Sequence, residues 1–312
     1  MPSAKQILVI FGVTGQQGGS VATAICKHPV LSQRYTVRGV TRDPTSLPAR
    51  ELVDRFGCEV VKADLDDKSS IESAVAGATG IFLVTSSIYD DRLYDREVSQ
   101  GKAVADAAVD ANVQFIIFST LPSVREISNG KYLHVTHFDA KYDIEQYIRS
   151  LHSLNSSFVS LGSFMQNLQN GLKPQPLGDG TFAINASMSA DTRLPLVDAT
   201  DVYKFVLAIL ESPEEFRGKV VHVAERLYRL DEIATIITDI TGKVVKYNQL
   251  PPDVVRSFLD PAMADDVVEM AAFFEEFGYF GPDMEALVQN EPNVGVDGMT
   301  TLTQFCRQMN LG

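Results

Sequence analysis

Three glycines spaced three apart, Gly12, Gly15 and Gly18, stand directly after the apolar run Ile7-Leu8-Val9-Ile10-Phe11 and before a helical pattern over residues 20–28. Strand, glycine turn and helix in that order are the parts of a pyrophosphate grip. One glycine makes the tight turn, a second lets the backbone approach the anion, and a third lets the helix pack closely on the strand. Gly12, Gly15 and Gly18 take those jobs in turn, with Thr14, Gln16 and Gln17 on the same loop. Amides at the start of the following helix then face the phosphates. The spacing differs from the more familiar G-x-G-x-x-G, so the reading rests on the order of elements and not on the triplet alone.

Which dinucleotide such a turn takes is decided at the end of the second strand, where a carboxylate suits ribose hydroxyls and a cation suits a 2′-phosphate. Here the strand over residues 35–41 ends in Thr41-Arg42-Asp43. Arg42 offers a planar fork to a phosphate. Asp43 opens Asp43-Pro44-Thr45-Ser46, a turn and helix-cap pattern, and is assigned to structure. The expected cofactor is therefore NADP(H), with NAD(H) bound more weakly. Asp64-Leu65-Asp66 closes the third strand and meets the adenine edge, with Asp66 also a candidate cap for a helix near Lys68. Val84 and Thr85 end the fourth strand, small enough to leave room for the pyrophosphate and nicotinamide ribose.

These groups need a sheet to hold them. Strand patterns recur at residues 58–63, 80–85, 114–119 and 156–161, separated by helical ones, including a long amphipathic helix over 92–112 with Val98, Gly101, Ala105 and Ala108 on one face and another over 134–151. Alternation of this kind is a doubly wound, Rossmann-type α/β fold with a parallel sheet. Beyond it the pattern predicts a proline- and glycine-rich stretch with a hairpin at 181–186, a helix at 198–211, a strand at 220–223, a helix at 230–241, a strand at 244–249 and helical segments to the end. The division expected is a nucleotide domain of residues 1–160 plus about 195–225, and a smaller, mostly helical α/β cap domain of about 161–194 and 226–312. The segment 121–132 follows the fifth strand at the ligand edge of such a sheet and reads equally as a lid or as a surface insertion.

At 312 residues and 45% hydrophobic, the chain can bury a full core. A net charge of −13 and the lack of a lysine or arginine run argue against direct nucleic-acid binding. Cys26, Cys58 and Cys306 have no paired spacing, which fits a reducing compartment and buried free thiols. No secretory leader or membrane-length apolar run is visible, so a cytoplasmic and also nuclear location is expected, without membrane contact. His134 and His137 lie at helical spacing near Asp139, yet lack the third ligand a metal motif needs. The aromatic stripe Phe273, Phe274, Phe277, Tyr279 and Phe280 reads as packed core or as a partner surface, with Glu275 and Glu276 on its solvated side.

The motifs Gly12-Val13-Thr14-Gly15-Gln16-Gln17-Gly18-Gly19, Val37-Arg38-Gly39-Val40-Thr41-Arg42-Asp43-Pro44, Ala63-Asp64-Leu65-Asp66 and His137-Phe138-Asp139-Ala140-Lys141 together resemble the NmrA-like family of atypical short-chain dehydrogenases. The similarity continues through Gly162-Ser163-Phe164-Met165-Gln166-Asn167 and Pro195-Leu196-Val197-Asp198-Ala199-Thr200-Asp201-Val202. Within that family the chain looks most like the NADP-sensing branch, whose members report the NADPH/NADP balance through protein partners. The resemblance implies that Arg42 contacts the 2′-phosphate, that residues 12–18 grip the pyrophosphate, that Lys141 reaches the nicotinamide ribose, and that Phe164 and Asn167 lie near the nicotinamide end.

Short-chain reductases place a tyrosine acid four positions before that lysine, with a serine to polarise the carbonyl. Here the tyrosine position is His137, and Ser119 or Thr120 stands where the serine belongs. An imidazolium beside Lys141 is electrostatically disfavoured, so the acid reads as missing. A redox-sensing regulator working through a protein partner is the reading this favours. The alternative is an NADPH-dependent reductase of a small-molecule enone, quinone or carbonyl substrate, using Lys141, His137 and Ser119.

Overall fold

The computed structural model describes residues 4–290 and 298–309. In chain order the first six strands are β1 (Gln6–Phe11), β2 (Tyr35–Thr41), β3 (Glu59–Lys62), β4 (Gly80–Leu83), β5 (Phe115–Thr120) and β6 (Asn155–Leu161). The next four, β7 (Ser163–Phe164), β8 (Gln175–Pro176), β9 (Phe182–Ala186) and β10 (Arg193–Val197), lie outside the main sheet. β11 (Val220–Val223) returns to it, whereas β12 (Arg226–Arg229) and β13 (Val245–Gln249) do not. The main sheet runs β11-β6-β5-β4-β1-β2-β3 with every pair parallel. The chain is thus wound outward in both directions from β1, and the switch point between β1 and β4 is where such sheets take ligands.

Burial on both faces explains the continuous apolar runs. Leu8 and Ile10 enter one core with Phe82, Ile117, Val21 and Phe205, while Val9 and Phe11 enter the other with Ile81, Ile116, Phe118 and Ile144. Successive side chains point to opposite faces, so a strand covered on both sides has no polar positions to spare. Each fully buried side chain of this size stabilises the fold by about 1.5–3 kcal/mol. The long helix is Leu93–Asp110 and its partner Thr136–Ser150, both within a few residues of the expected bounds.

The remaining chain builds two three-stranded sheets, β12-β10-β7 and β13-β9-β8, packed with the helices Leu230–Thr241 and Pro261–Phe277 around a third core. Three sequence expectations change here. Residues 182–186 form a single strand, β9, antiparallel to β8, so the hairpin is β8–β9. The helix Val202–Glu211 is preceded by a separate 3-10 turn, Ala199–Asp201. Segment 121–132 is neither a bare insertion nor a detached flap: it carries a short helix, Val124–Ile127, with Val124 fully buried. Asp139 accepts from the Ser123 hydroxyl at 3.0 Å and the Arg125 amide at 3.1 Å, and Lys131 and Tyr132 both bind Glu276. Phe273, Phe274, Tyr279 and Phe280 are buried in the third core, and Tyr132 meets Phe273 edge-on. Helical pattern expected at 291–297 lies outside the described residues. No described helix is long and apolar enough to cross a membrane.

Candidate functional site

At the carboxyl ends of β1, β2 and β4 lies a crevice of about 440 Å³ lined by Gly12, Thr14, Gly15, Gln16, Gln17 and Gly18, by Arg42, by Asp64 and Leu65, and by Val84 and Phe164. Gly12 turns the chain at φ +67°, a left-handed value that a side chain resists, and a Cβ there would lie 2.8 Å from Val84 Cγ1. A Cβ at Gly18 would lie 2.4 Å from the Gly12 carbonyl oxygen, so the helix can cross the turn only as glycine. The helix consequently begins at Gln16, four residues before the propensity of Gly18 and Gly19 suggests. Close packing overrides propensity. Among the described residues no side chain caps that helix, and the Oε1 of Gln17 is buried without a hydrogen-bond partner. Uncapped amides at a helix start suit an anion, and a buried lone acceptor suits a hydroxyl or amide donor, so these residues fit a dinucleotide.

Arg42 is exposed at the crevice and makes no hydrogen bond or ion pair among the described residues. Asp43 is turned away: its carboxylate accepts from the Thr45 hydroxyl at 2.6 Å and the Thr45 amide at 2.9 Å, which hold it below the usual carboxylate range. It makes a turn and caps no helix, since Ser46 precedes the helix Leu47–Phe56. The cap expected of Asp66 belongs to Asp67, which accepts from the amides of Ser69 and Ser70. Asp66 is instead fixed by Gln100, whose amide donates at 2.8 Å from the crevice wall. The Asn167 side chain is exposed on the 3-10 helix Met165–Gln169, and its neighbour Gln166 ties that helix to Asp198 at 2.8 Å.

Beside the crevice stands a buried polar cluster that sequence reading missed. Glu97, 1% exposed, accepts from Lys141, from Thr85 at 2.6 Å and from Ser87 at 2.8 Å, and Lys141 also donates to Ser87 at 3.1 Å. Burial pushes the Glu97 carboxyl up, but the Lys141 ammonium and the three donors outweigh it and leave it below its ordinary value. A charged residue four before Gly101, on the buried face of an otherwise small-residue helix, was the signal available.

His137 is held from the far end of the chain. Its Nδ1 lies 2.8 Å from Oδ2 of Asp266, a buried residue of the helix Pro261–Phe277 whose Oδ1 has no partner among the described residues. Three residues away His134 pairs likewise with Glu269 at 2.6 Å. The two histidines thus answer separate carboxylates, and no group of three or more metal-ligating side chains forms among the described residues. The Tyr89 ring lies 5.7 Å from that of His137, its phenol pushed far up by burial and by the charges of Asp266 and Glu97. Ser119 is buried on β5, and the Thr120 hydroxyl lies 3.4 Å from the carbonyl of Lys141.

Sheet order, glycine turn and crevice define a Rossmann-type α/β protein with its candidate site at the switch point. The NmrA-like family matches residues 4–305, and the chain belongs to that family. Among its relatives is the NmrA-like family domain-containing oxidoreductase FrzB of Cladobotryum sp., 31% identical over 89% of this chain and 87% of that protein. NmrA, a negative transcriptional regulator solved with NADP, shares the fold with a TM-score of 0.81 at 22% identity, over 97% of this chain and 95% of that one. The NADPH-dependent quinone oxidoreductase of Escherichia coli, solved with NADPH, superposes with a TM-score of 0.75 at 22% identity, over 96% and 98% of the two chains.

Proposed function

We propose that this protein is an NADP(H)-dependent reductase of a small enone, quinone or carbonyl compound, with NAD(H) bound more weakly. The observation that carries this reading is the pairing of His137 with Asp266 next to a Lys141 already neutralised by Glu97. Like-charge repulsion between residues 137 and 141 was the reason to regard the acid as lost. With the lysine charge met by a buried carboxylate, that objection weakens.

Residues 12–18 and the helix start would hold the pyrophosphate, Arg42 the 2′-phosphate, and Phe164 the nicotinamide end; when bound, the cofactor supplies a hydride equivalent. Lys141, kept in place by Glu97, donates to ribose hydroxyls. Asp266 accepts from Nδ1–H of His137 and so fixes the ring; in the imidazolium form the second proton, on Nε2, goes to the acceptor's oxygen and leaves the neutral ring with its Nδ1–H still on Asp266. Tyr89, with its raised phenol, stays protonated and brings a phenol beside the ring. The naming of FrzB as an oxidoreductase points the same way.

A second reading is a redox-sensing regulator that acts through a protein partner. It is supported by the two histidine–carboxylate pairs, which join the helix Thr136–Ser150 beside the crevice to the helix Pro261–Phe277 and offer a route from cofactor to distant surface. Following NADPH absorbance over a panel of quinones, enones and aldehydes separates the two. Turnover that His137→Phe lowers by about 10²–10⁴-fold, and that Lys141→Ala abolishes, is the expected result. Tight NADPH binding without turnover on any acceptor would overturn the reductase and favour the regulator.

A further inference from the structure

We propose that Cys26 and Cys58 form a peroxide-oxidisable dithiol pair, a modification site at the back of the nucleotide half, in which Cys26 attacks and Cys58 resolves. Thirty-two positions apart in sequence, the two sulfurs stand 3.4 Å from one another. Cys26 is the penultimate residue of the helix Gln16–Lys27, and Cys58 precedes β3 just after the helix Leu47–Phe56. A disulfide needs the sulfurs at about 2.05 Å, so little more than an ångström of side-chain movement closes it.

The roles follow from access and charge. Cys26 is half-buried and open to a small oxidant, whereas Cys58 is 4% exposed. Either thiol can donate across this gap; the contact and the positive charge of Lys5 favour the thiolate at Cys26, while the same contact and burial disfavour it at Cys58. A thiolate is the attacking form. The Cys26 sulfur attacks one oxygen of hydrogen peroxide, the O–O bond breaks, and the departing hydroxide takes a proton as water, leaving a sulfenic acid. The Cys58 sulfur then attacks the Cys26 sulfur. The S–O bond breaks, and its hydroxide leaves as a second water with the Cys58 proton. Two thiols and one peroxide give one disulfide and two waters, the sulfurs losing the two electrons the peroxide gains.

The place of the link gives it consequence. Cys26 sits at the opposite end of the helix whose start faces the crevice, and the strand that follows Cys58 leads to Asp64 and Leu65 in the crevice wall. A bond between them clasps two walls of one site from behind. Cys306 is buried in the separate third core and serves as an internal control.

The test exposes the reduced, full-length protein to hydrogen peroxide, alkylates it after denaturation, and maps peptides by mass spectrometry without reduction. Expected are a Cys26–Cys58 linked peptide that dithiothreitol reverses, and Cys306 still alkylated. In Cys58→Ser, a dimedone-trapped sulfenic acid is expected at Cys26; in Cys26→Ser, Cys58 stays alkylatable. Wild-type protein in which both cysteines remain alkylatable, or in which Cys26 passes to sulfinic acid with no linked peptide, would overturn the pair. Dimedone labelling of Cys58 in Cys26→Ser would overturn the assignment of roles. Should either variant fail to fold, the wild-type map alone decides.

Discussion

Single side chains carry the cofactor preference and the proton at this site, and each makes a separate prediction. Arg42 is a guanidinium at the crevice with no partner among the described residues while Asp43 is held in its own turn, so the preference for a phosphorylated ribose rests on Arg42. A hydrogen bond to a charged group contributes about 1.5–3 kcal/mol. Arg42→Ala is therefore expected to weaken NADPH binding by about 10- to 100-fold and leave NADH binding nearly unchanged, as read by titration; an unaltered ratio would place phosphate recognition elsewhere. Glu97 makes a prediction about pH. Its carboxyl is held below the ordinary value, so its interactions stabilise the fold above about pH 4.5, and this contribution is lost as pH falls through the depressed value. In urea unfolding measured from pH 7 to pH 3, wild type should lose stability more steeply than Glu97→Gln, and parallel curves would show that Glu97 is not ionised in the fold. At neutral pH the variant itself is expected to be less stable by about 3–5 kcal/mol, because a buried ammonium is left unpaired. Arg42 and Lys141 were legible because glycine turn, strand end and motif spacing point at them. Asp266 was not, since nothing local marks it as turned inward, and Glu97 was marked only by its place four before Gly101 on the buried face of its helix.

The helices show the same division at the next scale. Thr136–Ser150 begins at Val135, which has no side chain able to cap it. An acceptor comes from another element: Asp266 takes the first helical amide, that of Thr136, at 3.1 Å, and Glu269 takes those of Leu133 and His134 just before the helix, both at 2.8 Å. One helix thus caps another across the molecule, and the same carboxylate that completes the backbone also orients His137. Asp266→Ala should cost about 1–3 kcal/mol for the amide and ring left unpaired, visible as a fall in melting temperature of about 2–4 °C per kcal/mol. Asp266→Asn keeps an acceptor at the oxygen that serves both the Thr136 amide and Nδ1 of His137 and should recover much of that stability, yet leave turnover depressed because it lacks the negative charge opposite a protonated ring. Recovery of both by asparagine would reduce Asp266 to a cap. Strand positions were readable to within a residue or two, since burial on both faces dictates composition. The start of the helix Gln16–Lys27 was not, because Gly18 and Gly19 are poor local signals whose cost is met by close packing on the turn, whereas the helices at Leu93, Thr136 and Leu230 start within two residues of expectation.

For the molecule as a whole, the main sheet and the third core are not independent bodies. Val124, Val135 and Phe138, which the order of motifs assigns to the nucleotide half, are buried in the third core, and the Tyr279 hydroxyl donates to Leu161 at the end of β6 at 3.1 Å. Calorimetry should therefore show one transition, raised by NADPH as a unit; at a hundred times its Kd the ligand adds about 2.7 kcal/mol. Two transitions, of which NADPH moves only one, would show the halves to be energetically separate. What the amino-acid order determined alone was the parallel sheet, the glycine turn and the cation at the end of β2, because each depends on neighbours within a few residues, on period-two burial or on backbone geometry at one glycine. Only tertiary structure decided which carboxylates answer Lys141 and His137, how segment 121–132 is held, and that Cys26 meets Cys58. Those pairings join residues 14 to 145 positions apart, and a buried charge or thiol finds its partner through the packing of whole elements, which no local pattern encodes.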